Sequence, residues 1–290
     1  MEQNMTALVS LFARAYHQKR KGIKIFDDPL SIKLITKKEY EMIGLNMSQG
    51  ISFFNPTFKG SKEEALKWIV DHQLSPSVLV RSAFCKEAIE EMKEKGCQQY
   101  LDFASGYDSF AYYYQNQMNV FEIDKKEVIE DKRQRCKDVD IENIQFLSID
   151  LSQENWINAL LQSDYQETQL SISSMLGLSY YLTKDEFKKM LEQLSKYLLK
   201  GSRLVFDYPS IQESKETKVN EMLAEEANES MKAKYSFAEL KEILNQCHLT
   251  IIQHENHQIM TEKYISNYNV YYKDDPIKAP EGVCYCVVEK

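Results

Sequence analysis

The sequence predicts an α/β protein built on a mostly parallel sheet with helices on both faces. Three observations carry that prediction. Short apolar runs alternate with amphipathic or charged stretches from residue 78 to residue 208, the pattern of strand–helix–strand units. Three of those runs end in or near an aspartate, Asp102, Asp124 and Asp150, which would place three carboxylates along one edge of a parallel sheet. The 290-residue chain is 43% hydrophobic and 28% charged, with 9 glycines and 6 prolines. That is the composition of a folded protein, not of a collagen-like or disordered chain.

The elements follow in order. Residues 1–77 read as a mostly helical segment ahead of the first strand. Leu79, Ala83, Ala88 and Met92 have helical spacing and predict a helix over 78–95, stopped by Gly96. Residues 99–104 predict the first strand and Ser105-Gly106 its turn, followed by a helix carrying Phe110, Ala111 and Tyr114. A second strand over 119–124 leads into a charged helix over 125–137. Third and fourth strands are expected over 144–150 and 170–175. Thr183 with Glu186 three residues later forms a capping box for an amphipathic helix reaching Leu199. Gly201 ends it, and 203–208 is the fifth strand. Residues 236–246 read as a helix. Residues 249–255 and 282–289 are a late strand pair with no full-length helix between them, hence an antiparallel hairpin at the sheet edge. Five parallel strands plus a terminal hairpin is the layout of a Rossmann-like class I methyltransferase fold, with seven strands in all. The chain reads as one domain. A Rossmann-like core spans 78–290, a helical lid spans 1–77, and a charged lid insertion spans about 209–235. Both lids would sit beyond the carboxyl ends of the strands, where open α/β sheets bind ligands.

Charge and composition narrow the partners. Lys plus Arg is 36 against 44 Asp plus Glu, a formal charge of −8, which argues against non-specific nucleic-acid binding. No run approaches the ~20 apolar residues of a membrane span, and the first residues lack a basic region or small-residue cleavage site. The six cysteines are scattered, as reduced thiols in a cytoplasm would be. Cys284 and Cys286 share a strand face and read as two buried thiols; no metal site is expected.

The first turn, Asp102-Phe103-Ala104-Ser105-Gly106, is built of small residues that let the backbone approach a ligand. It is not the G-x-G-x-x-G of a pyrophosphate site. Asp102 and Asp108 would repel phosphates but could hold an ammonium, and a carboxylate after the second strand suits ribose hydroxyls. A nucleoside with a cationic group and no phosphate is therefore expected, and S-adenosyl-L-methionine has that form.

Longer segments carry a family resemblance. Residues 99–115 (QYLDFASGYDSFAYYYQ) and 120–133 (VFEIDKKEVIEDKR) resemble the leucine carboxyl methyltransferase family, whose members carry an LGAGxDT-like turn and a FEVD-like strand. Residues 148–156 (SIDLSQENW) and 201–208 (GSRLVFDY) resemble its third- and fifth-strand motifs. Thr6-Ala7, Arg14-Ala15 and residues 26–30 (FDDPL) resemble its opening. The resemblance covers about residues 5–210. It implies that Arg81 pairs with the methionine carboxylate of the cofactor and that Ala104 and Gly106 form the first turn. It implies that Asp124 binds the ribose, with Glu122 as a fallback, and that Asp150 and Leu151 flank the adenine, Asp150 accepting from the exocyclic amine. Leu176, in 174–182 (SMLGLSYYL), stands where the family usually carries an acid that helps hold the cofactor's ammonium, leaving Asp102 or backbone carbonyls to do so.

The reading that follows is an S-adenosyl-L-methionine-dependent O-methyltransferase acting on a carboxylate or hydroxyl of a small-molecule acceptor, polyketide-like compounds among them. A carboxylate needs no general base, whereas a hydroxyl does. Tyr180 and Tyr181 would meet the acceptor, as orienting hydroxyls or aromatic walls, and His17 in the lid is a candidate base. A second reading is a non-catalytic S-adenosyl-L-methionine-binding or partner-binding protein on the same scaffold, with Leu176 as its sign. The turn sequence disfavours a nicotinamide oxidoreductase. The charge and the lack of an N-P-P-Y-like run disfavour nucleic-acid methylation.

Overall fold

A computed structural model describes residues 4–212 and 231–290; most of the expected insertion over 209–235 lies outside them. The sheet has seven strands: β1 (Gln99–Phe103), β2 (Asn119–Asp124), β3 (Ile144–Ser148), β4 (Ser171–Met175), β5 (Arg203–Pro209), β6 (Thr250–Glu255) and β7 (Val283–Glu289). Their order is β3-β2-β1-β4-β5-β7-β6. β1 to β5 run parallel, and β7 lies antiparallel between β5 and β6. The chain leaves β1 in one direction and returns to β4 on its other side. A crevice therefore opens at the carboxyl ends of these strands.

Burial follows sheet position. β1, β4 and β5 are buried along their whole length, while β3 and β6 at the edges are only partly covered. Helices on both faces demand this of the central strands. On one face α9 (Lys184–Tyr197) sets Phe187, Leu191 and Leu194 against Leu101 and Phe206. Its Thr183–Glu186 capping box forms as expected. On the other face α6 (Ser75–Glu94) sets Leu79, Phe84 and Met92 against Tyr100, Val205 and Tyr285.

The N-terminal segment contains α1 (Met5–Lys19), α2 (Ser31–Leu34), α3 (Lys37–Gln49), α4 (Ile51–Phe54) and α5 (Lys62–Ile69). Leu8, Leu11 and Phe12 of α1 are fully buried, in a cluster that also holds Val70, Tyr107, Tyr112 and Val128. In this structure α1 is packed against the sheet layer.

Three expectations are corrected. Residues Phe110–Tyr114 form a short 3₁₀ turn in place of a helix; β2 begins at Asn119, leaving too few residues for more. After the charged helix α7 (Lys126–Arg135), residues Trp156–Leu161 form a short helix, α8, that the sequence does not predict; six residues are too few for the periodicity to show. The antiparallel late pair is present, but not as a hairpin. After α10 (Phe237–Gln246) and β6, a helical run from His257 to Tyr271 intervenes, interrupted by a π turn over Thr261–Ile265. That turn breaks the helical period: Met260, Ile265 and Tyr268 still reach the core facing α6, but not at even helical spacing. On β7, Cys286 is buried and Cys284 only half-buried; the six cysteines are free. Among the described residues no helix is long and apolar enough to cross a membrane, and no group of His, Cys, Asp and Glu is arranged to hold a metal.

Candidate active site

A cavity of about 1100 Å³ occupies the crevice at the carboxyl ends of the parallel strands. Its floor begins with the turn after β1. Ala104 and Gly106 both adopt left-handed backbone conformations, φ 53° and φ 50°. Glycine adopts this conformation freely and alanine only with strain. The turn is tied down by the next strand. Asp124, the last residue of β2, accepts from the Gly106 N–H at 2.8 Å and from the Lys125 N–H at 2.7 Å. Burial pushes its carboxyl above the usual range against the pull of these two donors. α1 closes on the same turn: a Cβ on Gly106 would stand 3.2 Å from that of Ala7. Arg14 of α1 donates to the Tyr107 carbonyl at 2.6 Å and pairs with Asp28 at 3.0 Å and Asp108 at 3.3 Å.

After β3 the cavity is lined by Ile149, Asp150, Leu151 and, from α8, Trp156. Asp150 accepts from the Ser152 N–H at 3.0 Å and its hydroxyl at 2.7 Å, and these bonds hold its carboxyl below the usual range. The result is an apolar slot with a carboxylate at its rim.

The β4–β5 side is different. Arg81 of α6 reaches over the turn that follows β4, where Gly177 has φ 70°. A Cβ on Gly177 would come within 2.8 Å of the Arg81 Nη1, so the guanidinium can lie there only over glycine. Asp207 of β5, 1% exposed, accepts from the Gly177 N–H at 2.6 Å and from the Tyr180 hydroxyl at 3.0 Å. Its Oδ2 is 3.9 Å from Arg81 Nη1. Burial, and then Asp207, push the Tyr180 phenol well up. Tyr180 and Tyr181 both line the cavity, with ring centroids 6.4 Å apart, and Leu176 lines it beside them.

Of the residues singled out in the sequence, Arg81, Ala104, Gly106, Asp124, Asp150, Leu151, Tyr180 and Tyr181 all line this cavity. Asp102 does not: it lies one residue short of the end of β1 and turns into the interior. There it accepts from the Ser174 hydroxyl at 2.7 Å, beside Glu122 in register on β2. Burial, and then Glu122, push its carboxyl far up. Glu122 is fully buried and paired with Lys132. His17 is likewise absent from the cavity lining. Its Nε2 accepts from the Ile25 N–H at 2.9 Å, and burial, with Lys24 next, lowers its pKa to about 3. It is a structural residue under the N-terminal segment. Asp207 is not among the residues the sequence singles out; its signal there is an acid within the otherwise apolar run Leu204–Tyr208. Lys189, Lys232 and Lys234 also reach the cavity, and nothing in their sequence context marks them.

A model of the family described as leucine carboxyl methyltransferase matches residues 7–195. The chain is 30% identical to the Bacillus subtilis (strain 168) protein named "Putative S-adenosyl-L-methionine-dependent methyltransferase YktD", over 98% of this chain and 97% of that one. Among solved structures, a DUF574 family protein from Streptomyces avermitilis MA-4680 superposes with a TM-score of 0.62 at 13% identity, covering 97% of each chain. The magnesium protoporphyrin IX methyltransferase of Synechocystis PCC 6803, solved with bound S-adenosylhomocysteine, reaches a TM-score of 0.50 at 11% identity, over 88% of this chain and 97% of that one. At such identities the likeness is one of fold. The family match over most of the chain and the full-length relative settle the assignment: this chain belongs to the leucine carboxyl methyltransferase family and is an S-adenosyl-L-methionine-dependent methyltransferase.

Proposed function

We propose that the enzyme is an O-methyltransferase acting on a carboxylate or hydroxyl of a small-molecule acceptor, bound in the same cavity as the cofactor. One observation carries the proposal: the cavity, at about 1100 Å³, lies at the upper end of the range for ligand sites, and its two ends differ in chemistry. The turn after β1, Asp124 and the slot at Ile149–Leu151 form one end; Tyr180, Tyr181 and Lys232, whose N–H donates to the Tyr180 carbonyl at 2.8 Å, form the other.

The cofactor end fits S-adenosyl-L-methionine. Arg81 offers a planar fork to an amino-acid carboxylate. Ala104 and Gly106 let a ligand approach the backbone. Asp124 keeps lone pairs for ribose hydroxyls beyond the two it spends on the turns. Asp150 would accept from an exocyclic amine, with Leu151 and Trp156 against the ring. Bound there, the cofactor supplies an electrophilic methyl group on a sulfonium, so the protein's task is to align an oxygen with it.

At the acceptor end the Tyr180 hydroxyl gives its hydrogen to Asp207. Its oxygen is left to accept from an acceptor O–H. Lys189 favours an anionic acceptor; Lys232 is paired with Glu186 at 3.6 Å. A carboxylate nucleophile, unlike a hydroxyl, needs no proton removed. A polyketide-like acid answers this description. Labelled S-adenosyl-L-methionine incubated with a panel of small carboxylic acids and phenols tests the proposal. Transfer to either class is expected; base-labile label identifies a methyl ester and stable label an ether. Transfer only to protein substrates would contradict it.

A further inference from the structure

We infer that Asp207 is a positioning residue that presents Arg81 to the amino-acid tail of the cofactor, an inference resting on the placement of that tail proposed above. Three observations converge on this buried carboxylate. It pairs with Arg81 at 3.9 Å. It fixes the Gly177 N–H at 2.6 Å, and Gly177 is the residue over which the Arg81 guanidinium lies. It also holds the Tyr180 hydroxyl at 3.0 Å. One side chain of β5 thus ties α6, the turn after β4 and an acceptor-side tyrosine together, while itself staying out of the cavity lining.

The distances indicate how it acts. At 3.9 Å the Arg81–Asp207 pair is loose, while both Asp207 oxygens are engaged by closer donors. The guanidinium is oriented by the charge without being consumed by it, so its fork stays available for a second carboxylate. Leu176 leaves the turn after β4 with no acid of its own. The negative charge at this corner comes from the next strand. An asparagine at 207 would keep the shape but offer only one acceptor oxygen. With that oxygen on Gly177, its amide would face Arg81 with hydrogens and turn the fork away.

Two ligands separate this role from a merely structural one. S-adenosylhomocysteine carries the amino-acid tail; 5′-methylthioadenosine keeps the adenine and ribose but lacks that tail. Calorimetry on the full chain should show Asp207→Asn weakening S-adenosylhomocysteine about tenfold or more, the scale of one lost charge-assisted contact, with methylthioadenosine unchanged. Equal loss of both ligands, or loss of neither, overturns the inference. If Asp207→Asn does not fold, Gly177→Ala applies the same test from the other side, since its methyl displaces the guanidinium; the same selectivity is expected, and equal loss overturns the inference. Arg81→Ala is the control on the underlying placement. If it leaves S-adenosylhomocysteine affinity intact, the tail lies elsewhere and both readings fall. If it weakens binding while Asp207→Asn does not, only the role of Asp207 falls.

Discussion

The two ends of the cofactor half of the cavity are built by different means. On the β1–β2 side, backbone geometry makes the site. Ala104 and Gly106 turn left-handed, the Asp124 carboxylate pins the Gly106 N–H to the next strand, and α1 packs on top. On the β4–β5 side, side chains from distant parts of the sequence make it. Arg81 comes from α6, Gly177 from the turn after β4 and Asp207 from β5. A backbone-made end should tolerate loss of charge better than a side-chain-made one, and it should respond to changes of conformational preference instead.

The sharpest break of that comparison is Arg81→Ala. A carboxylate left in the cavity without its partner should cost about 2–5 kcal/mol of S-adenosyl-L-methionine binding, measured by calorimetry on a variant whose circular dichroism is unchanged. Next is Asp124→Asn. Asparagine has one acceptor oxygen for two backbone donors, so the turn loosens and binding should fall by about 1–3 kcal/mol. Because the ribose is common to both, S-adenosylhomocysteine and methylthioadenosine should suffer alike. Glu122→Gln, behind the same strand and outside the cavity lining, should leave the affinity of the folded protein unchanged. Greater damage to binding from the Glu122 variant would reassign the ribose acid.

A third prediction concerns α1, which covers the β1–β2 end. His17 is held neutral, with its pKa lowered from the ordinary 6.5 to about 3. Its contribution to stability is therefore complete above pH 6.5 and is lost as pH falls from 6.5 toward 3, by at most about 1.4 kcal/mol per pH unit. Urea midpoints measured at pH 7.5 and pH 5 should fall less in His17→Gln, whose amide oxygen can still accept from Ile25, than in the natural chain. An equal fall would remove His17 from the acid response. The smallest effect is Ala104→Gly. Relief of the left-handed strain should add about 1 kcal/mol of stability, partly offset by the greater freedom of glycine in the unfolded chain, seen as a modest rise in Tm.

The same contrast explains what the sequence made legible. The strands and the β1–β2 end follow from local signals: apolar runs, a small-residue turn, and an aspartate at the end of the next strand. Residues 104–124 form its floor, close enough in sequence for local signals to mark them, whereas α1 above it comes from the far end of the chain. Asp102 shows the limit. It looks like a turn residue, but β1 extends one residue past it to Phe103, and that single residue places its carboxyl in the core. Arg81 was found through the family resemblance. Asp207 and Gly177 were not, because their roles arise only where α6 crosses two strand ends, and no spacing in the chain records that crossing. The helical run His257–Tyr271 was missed for a local reason, the π turn that breaks its period.

The most direct test of the account is a crystal structure of the enzyme with S-adenosylhomocysteine. The amino-acid carboxylate should lie on the Arg81 guanidinium, the ribose hydroxyls on Asp124 and the adenine between Leu151 and Trp156, with the sulfur facing Tyr180. A tail directed away from Arg81, or an adenosine lodged against Tyr180 and Tyr181, would contradict it.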